Sequence, residues 1–92
     1  MKYALIYTHS YLKRAKRFLR KHPELAGTYE KTLKILEINP HHPSLRLHAL
    51  KGRLKGLHSV SINLSYRITL EFYIQEHEIV LVHVGSHKEV YG

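Results

Sequence analysis

The chain has 92 residues, with fifteen Lys and Arg against seven Glu and no Asp, so its formal net charge is +8 with histidines neutral. That length supports one small core and is read as a single domain over residues 1–92. The lack of Cys excludes disulfides and thiolate chemistry, and the lack of Asp removes the Asp-rich magnesium sites of many nucleases.

A surface this basic either meets a polyanion, nucleic acid or an acidic protein, or serves only to keep the protein in solution. The nine histidines add groups that exchange a proton near neutral pH. The apolar run at Met1–Tyr7 is too short for a signal peptide or a membrane span, so the expected location is the cytoplasm, with no membrane partner.

In chain order, Lys2–Tyr7 reads as a short strand rich in Tyr, Leu and Ile. Thr8–Ser10 supplies turn and N-cap residues for a helix over Tyr11–Lys21. Tyr11, Leu12, Ala15, Phe18 and Leu19 share one face of it. Lys13, Arg14, Lys16, Arg17, Arg20 and Lys21 fill the rest, a face suited to solvent or to a polyanion. Pro23 and Glu24 suit the first turn of a second helix that runs to Glu37 or Ile38. Its inner stripe is Leu25, Tyr29, Thr32, Leu33 and Leu36, and Asn39-Pro40 ends it. The two helices read as a hairpin.

Pro40–Ser44 is a loop, and its adjacent histidines, His41 and His42, make a weak metal signal with no Cys or Asp beside them. Leu45–Leu50 reads as a strand with Leu45, Leu47 and Ala49 on one side. Lys51–Gly56 is a basic loop punctuated by glycine, suited to phosphate contact but without the spacing of a P-loop.

From His58 to Ile74 the residues alternate. Even positions, with Val60, Ile62, Leu64, Ile68, Leu70 and Phe72, are mostly apolar. Odd positions, with Ser59, Ser61, Asn63, Ser65, Arg67, Thr69 and Glu71, are mostly polar. Strand side chains alternate between sheet faces, so one row faces a core and the other a polar surface. The run is too long for one strand, and a turn at Asn63-Leu64-Ser65 is expected to fold it into two. Gln75–His77 makes a further turn. Glu78–Val84 is an apolar, internal strand interrupted by His83, and Gly85-Ser86 is expected to break it. His87–Tyr91 closes the chain as a turn or short helix. The predicted class is α+β, in the order β-α-α-β-β-β-β, with the helix hairpin on one face of a mainly antiparallel sheet.

Four segments in this order resemble the RelE/ParE toxin superfamily: Leu47–Gly52, Leu54–Gly56, Tyr66–Ile68 and Gly85–Tyr91. The nearest look is to its YafQ-like messenger RNA interferases, and Ser59–Asn63 through Arg67 also resembles the YoeB branch. The resemblance implies the toxin of a bacterial type II toxin–antitoxin pair. Such toxins cut messenger RNA at the ribosome without metal or other cofactor, and a cognate antitoxin blocks them. A ParE-like DNA gyrase inhibitor, or a non-catalytic module binding antitoxin or RNA, is the alternative on the same scaffold.

Metal-free RNA cleavage needs a base for the ribose 2′-hydroxyl, a cation for the phosphate and an acid for the leaving oxygen. By resemblance His87 is the acid, His48 the base and Arg67 the phosphate clamp, whose guanidinium fork suits that task. Each also has a structural reading: a capping histidine, a half-buried strand histidine, a cross-strand pair with Glu71 or another Glu. Tyr91 matches a terminal aromatic that stacks on a base or packs on the sheet, and Lys51, Arg53 and Lys55 would meet RNA phosphates. The chain departs from the YafQ-like pattern at Ser61 and Ser65, which stand where those enzymes carry a histidine and an aspartate. His58 or His83 could substitute, although both fall on apolar positions and read first as structural.

Overall fold

The structure is a computed structural model describing residues 2–91; the side chains of Glu89 and Tyr91 are not among what it describes. Five strands form one sheet in the order β1-β5-β4-β3-β2. They are β1 (Ala4–Tyr7), β2 (His48–Ala49), β3 (His58–Ser61), β4 (Tyr66–Tyr73) and β5 (Glu78–Ser86). β1 runs parallel to β5, and every other pairing is antiparallel. Helices α1 (His9–Lys21) and α2 (Ala26–Ile38) follow β1, and α3 (His87–Tyr91) follows β5. The architecture is therefore α+β, with the predicted element order and a mainly antiparallel sheet.

Local chemistry explains where the helices start. Thr8 caps α1, its hydroxyl accepting from the Tyr11 amide at 3.2 Å. Pro23 opens a 3₁₀ turn at Pro23–Leu25 that leads into α2, so the second α-helix begins three residues later than the proline. Tyr11, Ala15 and Phe18 bury one stripe of α1, and Tyr29, Thr32 and Leu36 one stripe of α2. Leu12, expected on that stripe, is half exposed, because one step along a helix turns it about 100° away from Tyr11. The hairpin is pinned where the Tyr11 and Tyr29 hydroxyls meet at 2.6 Å, both buried.

The even row of the long alternating stretch forms the floor of the core: Val60, Ile62, Ile68 and Leu70 are buried with Ile79, Leu81 and Val84 of β5. The turn falls where expected. The Asn63 side-chain oxygen accepts from the Ser65 and Tyr66 amides, both at 2.9 Å. Leu64 and Ile74 break the parity; both sit in turns and project outward.

Three expectations are corrected. Leu45–Leu50 is not a six-residue strand. Pro43–Leu45 is a 3₁₀ turn, Arg46 then takes a left-handed conformation (φ 49, ψ 47), and only His48–Ala49 pairs with β3. Leu45 is buried in the core, while Ala49 is exposed. Nor does Gly85-Ser86 break β5: Gly85 pairs with Arg67 and Ser86 with Tyr66. The irregularity lies earlier. Thr69 pairs with His83 and Leu70 with Leu81, leaving Val82 as the extra residue of a bulge. The bulge resets the alternation, so Leu81 and Val84 both reach the core although they are an odd number of positions apart, with Val82 and His83 between them. The polar row, expected to form a polar surface, is also partly covered: Ser59, Ser61 and Thr69 are buried. α3 returns against β4 and β5, and its Val90 is buried apart from the main core cluster.

Candidate functional site

The left-handed turn at Arg46 delivers the next residues to the sheet edge. His48, on β2, lies opposite Ser59 of β3, so its ring shares the outer face with Arg67 two strands in. The Arg67 guanidinium reaches across that face. Its Nε–H donates to the buried Ser59 hydroxyl at 2.6 Å, and its Nη2–H to the Arg46 carbonyl at 3.3 Å. Nη2 also stands 3.3 Å from His48 Nδ1. The anticipated pairing with Glu71 is not what holds Arg67; Glu71 instead accepts from the Tyr73 hydroxyl at 3.0 Å. Two planar contacts on one side leave the guanidinium fixed in direction, as a phosphate clamp requires.

The loop after β2 is set by its glycines. Gly52 and Gly56 have φ of +64 and +101, a region L-residues seldom occupy. Between them a 3₁₀ turn, Gly52–Leu54, closes with the Lys55 amide donating to the Gly52 carbonyl at 3.0 Å. The Leu50 amide donates to the Leu57 carbonyl at 2.9 Å, tying the base of the loop shut.

These elements and the start of α3 border an open surface hollow of about 440 Å³ lined by His48, Ala49, Leu50, Lys51, Arg53, Leu54 and His87. Two histidines thus face one space, one from the middle of the chain and one from near its C-terminus, with two cations on its wall. Of the residues singled out from the sequence, His48, His87, Lys51 and Arg53 line it, and Arg67 stands behind His48. Lys55 is exposed and lies outside the lining. The Tyr91 side chain is outside the described residues.

The remaining candidates lie elsewhere. Ser61 lines a separate cavity against α2, with Thr28, Thr32 and Leu45, and its hydroxyl donates to the Asn63 carbonyl at 2.7 Å. Ser65 is exposed in the hairpin turn. His58 packs edge-on against Phe72, with ring centroids 5.8 Å apart, and its Nδ1 is buried without a hydrogen-bond partner. Burial, and then the nearby His48 and His41, hold its pKa below the ordinary histidine value. A neutral packing role fits it better than proton transfer.

His83 lies in a basic groove between α1 and β5, where Arg14, Arg17, Lys21 and His22 surround about 360 Å³. The Arg14 guanidinium there donates to the Val82 carbonyl of the bulge at 3.3 Å. The cations of this groove were legible in α1, but the participation of His83 depends on the bulge. Among the described residues no three His or Glu side chains gather to hold a metal ion, and no helix is long and apolar enough to cross a membrane.

No known family's sequence profile matches the chain, and no curated protein does. Solved structures do. YafQ from Escherichia coli strain BL21(DE3) superposes with a TM-score of 0.80 at 14% identity, over 98% of this chain and 99% of that one. The Mycobacterium tuberculosis toxin–antitoxin complex RelBE2 gives 0.71 at 19% identity, over 95% and 100%. A metal-bound toxin from Helicobacter pylori gives 0.68 at 22% identity, over 96% and 98%. The chain thus has the RelE-like fold from end to end, which agrees with the resemblance of its motifs.

Proposed function

We propose that this protein is the toxin of a type II toxin–antitoxin pair and a ribosome-dependent, metal-free endoribonuclease of messenger RNA. The observation that carries this reading is the single cavity faced by His48 and His87, with Lys51 and Arg53 on its wall and Arg67 bonded into place beside His48. RelE-like proteins of the same fold are solved as toxin–antitoxin complexes, among them the E. coli DinJ-YafQ complex, which covers the full length of both chains. A cognate antitoxin is the protein partner this implies.

The chemistry follows from the groups present. His48 takes the proton of a ribose 2′-hydroxyl. The 2′-oxygen attacks the adjacent phosphorus, and the bond to the leaving 5′-oxygen breaks as His87 delivers a proton to it. A 2′,3′-cyclic phosphate and a 5′-hydroxyl result. Arg67 stabilises the charge that grows on the phosphoryl oxygens, and Lys51, Arg53 and Lys55 hold the flanking backbone. Imidazole both accepts and donates protons readily in water, so a pair of histidines has the chemistry to supply base and acid at once.

Expression of the protein alone should arrest growth, and His87→Ala or Arg67→Ala should relieve the arrest. Primer extension should map cuts in ribosome-bound message with the wild type and none with either variant. Unchanged toxicity in both variants would remove the assigned roles. Arrest without cuts, accompanied by inhibition of DNA supercoiling, would identify the ParE-like alternative.

A further inference from the structure

We infer that the main-chain carbonyl of Arg46 selects the tautomer of His48 and so makes it a base; the inference rests on the assignment of His48 to that role. Three groups converge on this point. Arg67 Nη2 lies 3.3 Å from the Arg46 oxygen, His48 Nδ1 lies 3.2 Å from the same oxygen, and Nη2 and Nδ1 are 3.3 Å apart. A guanidinium nitrogen carries hydrogens and no available lone pair, so it can only donate. If Nδ1 lacked a proton, its lone pair would face the lone pairs of the carbonyl at 3.2 Å. If Nδ1 carries the proton, it donates to the carbonyl, and Nη2–H donates to the second lone pair of the same oxygen. With Nδ1 unprotonated, Nη2–H can donate to the ring, but two acceptors then stand 3.2 Å apart with one donor nitrogen between them. The second arrangement gives the carbonyl two donors and sets no lone pair against another, so it is the preferred one.

The neutral His48 ring therefore holds its proton on Nδ1 and its lone pair on Nε2. That is the nitrogen left to take a proton from a hydroxyl in the cavity the ring lines. The Arg67 contact, which by itself could be read as a hydrogen bond into Nδ1, becomes two donors sharing one acceptor. Arg46 is thus a positioning residue that acts through its backbone. Its carbonyl points this way because the residue takes φ 49 and ψ 47, ending the turn in which its amide donates to the Pro43 carbonyl at 3.2 Å. A β-branched residue resists this left-handed conformation, and glycine accepts it freely.

The first test needs no RNA. Long-range proton–nitrogen spectra of the protein labelled with ¹⁵N in histidine should show the neutral His48 ring protonated at Nδ1. A ring protonated at Nε2 overturns the inference, whether or not the protein cleaves RNA. The second test compares Arg46→Gly with Arg46→Val, both of which lack the guanidinium. Arg46→Gly should keep the Nδ1–H tautomer, and Arg46→Val should lose its dominance. The cleavage rate on saturating ribosome-bound message should be about 10²-fold lower in Arg46→Val than in Arg46→Gly, the low end of what a general base supplies. Substrate affinity should be similar in the two. Equal tautomer populations and equal rates in the two variants would refute the role of the carbonyl. Correct tautomers with no cleavage by any form, wild type included, would instead refute the nuclease reading.

Discussion

The paired tyrosines that lock the helix hairpin offer the sharpest test of the fold. Tyr11 is fully buried and Tyr29 nearly so, and their hydroxyls are 2.6 Å apart. Replacing Tyr11 by Phe keeps the ring and its packing on the core but leaves the Tyr29 hydroxyl without that partner. A buried polar group stripped of its partner costs about 1–3 kcal/mol, whereas replacing both partners by apolar groups of the same shape is close to neutral. For a chain of this size each kcal/mol lowers Tm by about 4–8 °C. Thermal melts should therefore rank the double variant Tyr11→Phe/Tyr29→Phe above the single Tyr11→Phe. An additive cycle, with the double variant as weak as the two losses combined, would refute the coupling. The same pair predicts alkaline behaviour. Burial, followed by the neighbouring Tyr29, holds the Tyr11 phenol far above its ordinary pKa of 10.0, and burial also raises that of Tyr29. Raised folded-state values keep both phenols neutral in the native protein, so this contribution to stability is complete below about pH 10 and falls as the pH rises above it. Tyrosinate absorbance should show these two rings ionising only as the fold is lost.

Two further outcomes can be read from single substitutions. His58 has its pKa depressed by burial and by His48 and His41, so its unfolded form binds a proton more readily. Stability from this residue is present above the ordinary histidine pKa and declines as the pH falls through its folded value, and His58→Phe should flatten the loss between neutral and mildly acidic pH in denaturant titrations. Gly56 has open space where a Cβ would go but a φ of +101, so Gly56→Ala should cost about 1–3 kcal/mol from backbone strain alone, with ribosome-bound message cleaved more slowly as the Lys51–Lys55 loop shifts.

Most of the fold was legible because side-chain pattern and backbone state agree. Thr8 caps α1 as its position suggests, most of the predicted stripes of α1 and α2 pack on the core with Leu12 the exception, and the row Val60, Ile62, Ile68, Leu70 is buried as its spacing selects. The misreadings occur where the backbone departs from its element without a glycine or proline to announce it. Arg46 turns left-handed in an otherwise strand-like run, and the bulge at Val82 hides in a stretch apolar on both faces. Gly85 shows the reverse: a residue that reads as a breaker lies opposite Arg67 in a continuous strand. The candidate site was legible in side chains, since His48, His87, Lys51 and Arg53 were singled out by resemblance and meet at one cavity. The carbonyl that orients His48 was not, because every residue carries a carbonyl and only conformation decides where it points.

The departure at Ser61 and Ser65 takes on a different meaning once the hairpin is placed. Both serines stand where YafQ-like enzymes carry ionisable groups, which suggests a depleted site if they lie beside the reacting atoms. They do not share the cavity of His48 and His87. Ser61 faces α2, its hydroxyl engaged with the Asn63 carbonyl, and Ser65 is exposed at the hairpin tip. The proposed base, acid and clamp, His48, His87 and Arg67, stand on β2, α3 and β4; Arg67 lies opposite Ser61 in the β3–β4 pairing, but its guanidinium contacts Ser59, the Arg46 carbonyl and His48 instead. Ser61→Ala and Ser65→Ala should therefore cleave ribosome-bound message within a few-fold of the wild-type rate, roughly 1 kcal/mol or less in the barrier. Ser61→Ala should show its effect in thermal stability instead, through the lost bond to Asn63. A loss of about 10²-fold in either variant, with the melt unchanged, would bring the hairpin into the reaction and refute a site built on His48, Arg67 and His87 alone.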